Sequence, residues 1–593
     1  MAPRAWLAVC ALALVALCWG LGSYPLLEPD EGRNVEVARE MARSGDYVLP
    51  HLDGLPYLDK PATYFAAVAF SLHALGDSEG AARLPSLLFT LGTIALVWRL
   101  GQRMGPPGTG EIAGLALATM PLALAFSRTV IFDSALAFVE TLTLAAAWRG
   151  FTLERERRTW FALAWAAMGL GVITKGPVAV VVPLLIVTAF AFGSGVRLRP
   201  FFSVRAWPWF FVTALPWFVA VSMRRPDFPA YALVYESLKR VATRSAGRTG
   251  PIWYFVPVLL AGSFPWIGPA IAAAVRGWRA RARRREADGR PAVFLAAWAL
   301  VPLVFFSLSQ SKLPGYYLPA LPAVALAAGM LLAEGLRDEG ALRQAAAGTV
   351  AAAAVLAAAA VALVLFSTAI TRPLPLSPLV RNAVPGLVFG LGASFLGGAI
   401  VAVLGARRRA AWLMAAGLAL PVLGTPFAGR GFLAVVAGER SSRDLAASIE
   451  AAARRARVVG VEAYPTSLRY YLDRPVLLSS ESAAELTSNY VVSRAAEFHA
   501  FPGTPLRPAG WWREALATCT EPTVFVARRG KAPAEELARA LPLIAAGGAD
   551  ASFLAYGPCR PGAAPSSGPA ATATPAPVRD ERAAPVRAGG GPR

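Results

Sequence analysis

The amino-acid sequence predicts an α-helical polytopic membrane protein that carries a small α/β domain toward its C-terminal end. Of 593 residues, 56% are hydrophobic and only 16% are charged, whereas a soluble protein carries about a quarter charged residues. The apolar residues come in unbroken runs, as at 84–100 and 178–192, and a run of about 20 spans a bilayer as a helix. From residue 440 the runs give way to short mixed segments, the pattern of a compact α/β unit. The formal net charge is +21. On a soluble chain that would suggest nucleic acid. Here the basic residues cluster in short loops between apolar runs, as positive-inside topology requires, so no nucleic-acid partner is predicted.

About thirteen spans are read in order. The first, 6–24, follows Arg4 like a signal peptide, but no small-x-small cleavage site precedes Tyr24-Pro25, so it is read as an uncleaved helix. A long charged loop, 25–80, follows; within it 34–43 and 61–75 read as amphipathic or surface-lying helices. Later spans are 84–100, 111–126, 134–150, 160–174, 178–192, 207–223, 252–275, 292–308, 316–333, 346–368, 384–404 and 411–425. The domain reading is therefore 1–430 for the transmembrane part, 440–557 for the α/β domain and 558–593 for a disordered Pro, Ala, Gly and Arg tail. Within the α/β part, 444–455 and 534–541 read as helices, and 457–461, 475–478 and 523–527 as strands. Cys10 and Cys18 fall in the first span and read as packing residues. Cys519 and Cys559 pair only if their domain lies outside the cytoplasm, and the sequence leaves both states open.

Loop charge sets an orientation. With the N-terminus cytoplasmic, Arg99 and Arg103, the Arg149–Arg158 group, Arg197 and Arg199, the 276–290 cluster and Arg407 to Arg409 all fall inside. Asp30, Asp59, Lys60, Asp133, Lys175, Glu236, Arg240 and Lys312 then emerge together on the outer face. Charges so close to membrane spans are costly unless they do something. Both signs are present, as in a site that takes a proton from one partner and neutralises phosphate on another.

Each motif has a plainer reading. Glu28-Pro29-Asp30-Glu31-Gly32-Arg33 suits a helix start, where acids are favoured. Asp59-Lys60-Pro61 places a lysine at a helix start, where the dipole does not favour it, which is easier to explain with an anion nearby. Arg128 and Asp133 in Ser-Arg-Thr-Val-Ile-Phe-Asp-Ser are compatible with an internal ion pair closing a helix end. Lys175-Gly176-Pro177 and Lys312-Leu313-Pro314 are compatible with turns carrying snorkelling lysines, and Tyr317 with the interfacial aromatic belt.

In order and spacing these motifs resemble, over residues 5–430, the polyprenyl-phosphate-sugar-dependent glycosyltransferases of the GT-C class. The likeness is greatest to the lipid A 4-amino-4-deoxy-L-arabinose transferase (ArnT-like) group, distant relatives of protein O-mannosyltransferases. The resemblance implies a GT-C fold in a bacterial inner membrane, with the site and the C-terminal domain periplasmic. It implies Asp30 and Asp133 as catalytic acids, and Arg33, Lys60, Lys175, Lys312 and Tyr316 around the donor phosphate. Glu31, Asp59, Glu236 and Arg240 would support them. Asn34 replaces a Tyr common in that group, and Ser237 stands where its metal-binding His would be. No cofactor is assigned, therefore; if a divalent metal binds, Asp59 is the candidate ligand. The implied partners are a polyprenyl-phosphate-linked sugar donor, a lipid or glycan acceptor and the membrane lipids. The implied reaction is inverting transfer with Asp30 as base. A protein O-glycosyltransferase and, less in keeping with the pattern, a lipid-linked sugar transporter or flippase are the alternatives; the latter would favour repeats and midplane charges.

Overall fold

The computed structural model describes residues 3–232, 250–283, 290–372, 377–548 and 551–561. A helical bundle carries a C-terminal sheet layer on one end. The bundle opens with α1 (Pro3–Cys18), α2 (Asp30–Ser44) and α3 (Ala62–Leu75). A two-strand hairpin, β1 (His51–Leu52) and β2 (Leu55–Pro56), separates α2 from α3. Then follow α4 (Glu79–Met104), α5 (Thr109–Ala118), α6 (Pro121–Ser127), α7 (Asp133–Thr152), α8 (Arg157–Lys175), α9 (Val178–Ser194) and α10 (Pro208–Arg224).

Among the described residues, six helices are long and apolar enough to cross a membrane, or up to eight if each of two bent pairs is one span. The thirteen-span reading differs because several apolar runs make helices that are broken, shorter or less apolar. The 111–126 run bends by 63° between α5 and α6, ahead of Pro121. The 252–275 run bends by 109° between Phe255–Gly262 and Ile267–Arg279, around Pro265. Proline lacks an amide hydrogen and clashes with the preceding turn, so each run breaks there. The 316–333 run begins as a 3-10 turn, Pro314–Ala320, before the α-helix Leu321–Glu334.

Of the two helices read as amphipathic or surface-lying in the 25–80 loop, α2 is largely covered, while α3 keeps Phe70 and Leu75 exposed. Nine residues of α2 are buried, among them Glu31, Asn34, Glu36 and Arg39. Glu31 and Asn34 are covered by Arg83 and Val130, and Glu36 and Arg39 by residues 469–473 of the C-terminal layer, which is built on a sheet. Its strands are β3 (Arg457–Val461), β4 (Val476–Ser479), β5 (Leu506–Arg507), β6 (Thr523–Arg528), β7 (Leu543–Gly547) and β8 (Phe553–Cys559), in the order β5-β4-β3-β6-β8-β7. β3 runs parallel to β4 and β6; β8 is antiparallel to β6 and β7. Strand side chains alternate between faces. Val458, Val524 and Val526 accordingly join a core with Val35, Ala38 and Phe65 of α2 and α3, while Val459, Phe525 and Ala527 pack with Trp512 and Leu537 on the other face. Cys519 and Cys559 form a disulfide on that second face. Cys18, by contrast, is exposed rather than packed.

Candidate active site

α2 begins at Asp30 with Asp30 and Glu31 in its first turn, where the helix N-terminus favours negative charge. The two neighbouring acids then part company. Glu31 turns inward: it accepts from Arg83 Nε at 3.0 Å and Nη2 at 2.7 Å, from Leu27 N at 3.0 Å and from Val130 N at 2.9 Å. Arg83 spends its other donors on the carbonyls of Leu21, Tyr24 and Pro25 and lies 3.8 Å over the Tyr24 ring. Both side chains are essentially inaccessible, at 1% and 0% exposure. Asn34, one turn along α2, donates to Val130 O at 2.9 Å. Glu31 and Asn34 thus grip both backbone groups of Val130, three residues before Asp133.

Asp30 turns outward and pairs with Arg33 Nη2 at 2.6 Å. Arg33 Nη1 donates to Thr487 Oγ1 at 2.7 Å, and its guanidinium lies 5.9 Å from the Tyr57 ring centre. Its Nε is buried and has no hydrogen-bond partner among the described residues. Asp59 is buried; its Oδ1 accepts from Tyr231 Oη at 2.5 Å and from Tyr490 N at 3.0 Å. Lys60 Nζ donates to the Asp59 carbonyl at 2.7 Å.

A second acid–cation pair stands nearby. Thr63 Oγ1, at the start of α3, donates to Ile173 O at 2.6 Å and so fastens the Asp59-Lys60 segment to the end of α8. That end is Lys175, whose Nζ donates to Asp133 Oδ1 at 2.6 Å and lies 5.4 Å from the Tyr316 ring centre. Asp133 opens α7 and Lys175 closes α8, so each charge sits at the helix end whose dipole favours it. Gly315 lies against Asp133 and Phe126; a Cβ there would come within 2.6 Å of Phe126 Cε1.

Some sequence expectations are corrected. Arg128 does not pair with Asp133: it donates to Ala16 O at 3.1 Å and to Trp19 O, closing the end of α1. Asp133 pairs with Lys175 instead. Lys312 is not displayed toward the pair: its Nζ donates to the carbonyls of Phe306, Ser307 and Ser309 at 3.3, 2.8 and 2.8 Å, satisfying the end of the helix Arg290–Leu308. An ammonium has three protons, and these three carbonyls take them. Tyr317 is a core residue rather than part of an interfacial belt, buried and bonded to Ala299 O at 2.8 Å. Glu236, Ser237 and Arg240 lie outside the described residues. Among the described residues no three His, Cys, Asp or Glu side chains converge on a metal position. Asp59, the candidate ligand, uses its Oδ1 to accept from Tyr231 Oη and Tyr490 N.

The sequence reading missed Arg83, Tyr231, Thr487 and Tyr490. Arg83 had a signal, a charge buried at the start of an apolar run. Thr487 and Tyr490 had none, because they reach the site only through the fold.

The C-terminal layer is clasped to α2 by charge. Arg469 meets Glu36 at 2.8 Å, Glu40 at 2.9 Å and also Asp53, while Arg39 pairs with Glu36 at 2.6 Å and Asp473 at 3.0 Å. Burial pushes the Glu40 carboxyl up to about 7 and that of Asp53 up to about 6, against the pull of Arg469.

A sequence-family profile described as "Dolichyl-phosphate-mannose-protein mannosyltransferase" matches residues 59–223. An undecaprenyl phosphate-alpha-4-amino-4-deoxy-L-arabinose arabinosyl transferase of Yersinia enterocolitica is 31% identical over 324 residues, 53% of this chain and 58% of the relative. The transferase of the same description from Serratia proteamaculans is 32% identical over 51% of this chain and 54% of the relative. The chain therefore spans little more than half the length of these curated relatives. A crystal structure of ArnT from Cupriavidus metallidurans bound to undecaprenyl phosphate superposes with a TM-score of 0.79 at 26% identity, covering 94% of this chain and 98% of that one. In fold over nearly its whole length, and in sequence over about half of it, this multi-pass membrane protein resembles the GT-C, ArnT-like glycosyltransferases.

Proposed function

We propose that the protein is an inverting glycosyltransferase that moves a sugar from a polyprenyl phosphate to a lipid A-like or other envelope acceptor. The observation that carries this reading is Arg33: it is held by Asp30 on one side, its Nε is buried without a partner among the described residues, and a second acid–cation pair, Asp133 and Lys175, stands beside the same loop. A buried, unsatisfied guanidinium donor suits a phosphate oxygen. The named relatives act on an undecaprenyl-phosphate-linked aminoarabinose, which supports a donor of that class.

In this mechanism Asp30 is the general base. It takes the proton as the acceptor hydroxyl oxygen attacks the anomeric carbon. The anomeric C–O bond breaks and its electron pair leaves on the polyprenyl phosphate. That anion needs neutralisation rather than protonation, and Arg33, Lys60 and Lys175 supply it, strengthened by the partly dry surroundings. Displacement by one base inverts the anomeric centre. We place the site on the periplasmic face, with the shorter apolar helices crossing alongside the long ones. The mannosyltransferase description matching residues 59–223 favours one second reading, a protein acceptor.

The test is a transfer assay on the full chain in liposomes. It offers radiolabelled polyprenyl-phosphate sugars, with envelope lipids and proteins as acceptors, beside Asp30→Asn. Label should move to one acceptor class and the variant should lose about two to four orders of magnitude in rate while folding normally. Near-normal turnover by Asp30→Asn removes the base assignment, and label on protein alone selects the second reading.

A further inference from the structure

One short stretch of the C-terminal layer, the 3-10 turn Ala484–Leu486 and the helix Asn489–Val492, reaches the site. Two of its groups bond site residues: Thr487 Oγ1 receives Arg33 Nη1, and Tyr490 N donates to Asp59 Oδ1. The stretch is itself braced. Ser480 Oγ accepts from Ala483 N and donates to Glu485, while Ser488 Oγ accepts from Val491 N. Tyr490 Oη donates to Asp227 and accepts from Arg225 Nε, each at 2.8 Å, and its ring meets Tyr231 edge-on at 5.0 Å. Asp227 also pairs with Arg494 at 2.6 Å.

Thr487 is the unusual member. Its φ is +54°, a left-handed conformation that a β-branched residue adopts only at a cost. Glycine would suit that turn better. Backbone outliers of this kind persist where the surroundings over-determine them, often at functional sites. What glycine could not supply is the hydroxyl on Arg33. With Nη2 tied to Asp30 and Nη1 to Thr487, the planar guanidinium has two fixed points, and these set the direction of the remaining Nε.

We propose that Thr487 is a positioning residue of the donor site: from the C-terminal layer it fixes the plane in which Arg33 presents Nε to the lipid phosphate. This rests on the donor class proposed above. The layer is then part of the binding site as well as its cover.

The experiment measures binding of undecaprenyl phosphate to the detergent-solubilised full chain, with a melting curve for each variant. Thr487→Gly should bind about tenfold more weakly, the worth of one hydrogen bond to a charged group, while melting at or above the wild-type temperature because the turn relaxes. Thr487→Ser, which keeps the hydroxyl, should recover most of the affinity; Thr487→Ala serves should the glycine variant fail to fold. A glycine or alanine variant that folds and binds like wild type overturns the inference alone. A wild-type protein that does not bind the lipid overturns the proposed donor class, and the inference with it.

Discussion

Replacing Glu31 by Ala tests the division of labour between the two adjacent acids of α2. The substitution removes a carboxylate that accepts four hydrogen bonds and leaves the Arg83 guanidinium, 0% exposed, without its counter-charge. Breaking a buried ion pair from one side costs about 3–5 kcal/mol, because the surviving charge stays buried. Removing both partners for apolar residues of similar size is far less costly. Glu31→Ala should therefore be strongly destabilised, Arg83→Met less so, and the double variant Glu31→Ala/Arg83→Met should regain much of the loss. The coupling between the two positions should be about 2–3 kcal/mol, at the upper end for residues in contact. Thermal unfolding of the four proteins in the same detergent, followed by monodispersity, reads this cycle. Asp30→Asn, one residue away, should melt close to wild type. The reasoning is refuted if Glu31→Ala melts with the wild type, or if the double variant is merely the sum of the singles.

Two further outcomes follow from the same interface. In Gly32→Ala the added Cβ would stand 2.6 Å from Ser467 N and 2.8 Å from Ser467 Cα; since backbone cannot yield cheaply, the C-terminal layer should loosen on α2 at a cost of about 1–3 kcal/mol, seen as faster amide exchange in residues 466–472. The clasp should also weaken as pH rises. The folded-state values of Glu40 and Asp53, about 7 and about 6, lie above their ordinary values of 4.5 and 3.8, so the folded protein holds protons that the unfolded chain has released. Their contribution is fully present at low pH and is lost between about pH 4 and 7. Proteolysis within the layer should be slower at pH 5 than at pH 8, and Glu40→Gln should flatten that difference; an unchanged pH profile in the variant would remove Glu40 from the account.

Local pattern was a good guide where local forces decide. The short apolar runs of 457–461 and 523–527 became β3 and β6 (Thr523–Arg528), and the helix read at 534–541 became the helix Ala532–Ala540. Acids just after Pro29 did open a helix. Prolines within apolar runs were less well read: the periodicity of 111–126 and 252–275 is continuous, but each run bends sharply at or near a proline.

By itself the sequence determined the membrane class, because apolar length and loop charge are properties of composition along the chain. It also singled out Asp30, Arg33, Asp59, Asp133 and Lys175, because charges beside apolar runs are rare and costly. Which charge answers which was decided only by the tertiary structure. Adjacent acids on one helix turn face different surroundings, so Glu31 is buried on Arg83 while Asp30 faces Arg33. Lys175 and Lys312 occupy similar turns, yet one meets Asp133 and the other the carbonyls at a helix end. Thr487 meets Arg33 across 454 residues of chain. A charge takes its partner from whatever packing brings within about 3 Å, and packing at that range is set by the whole fold.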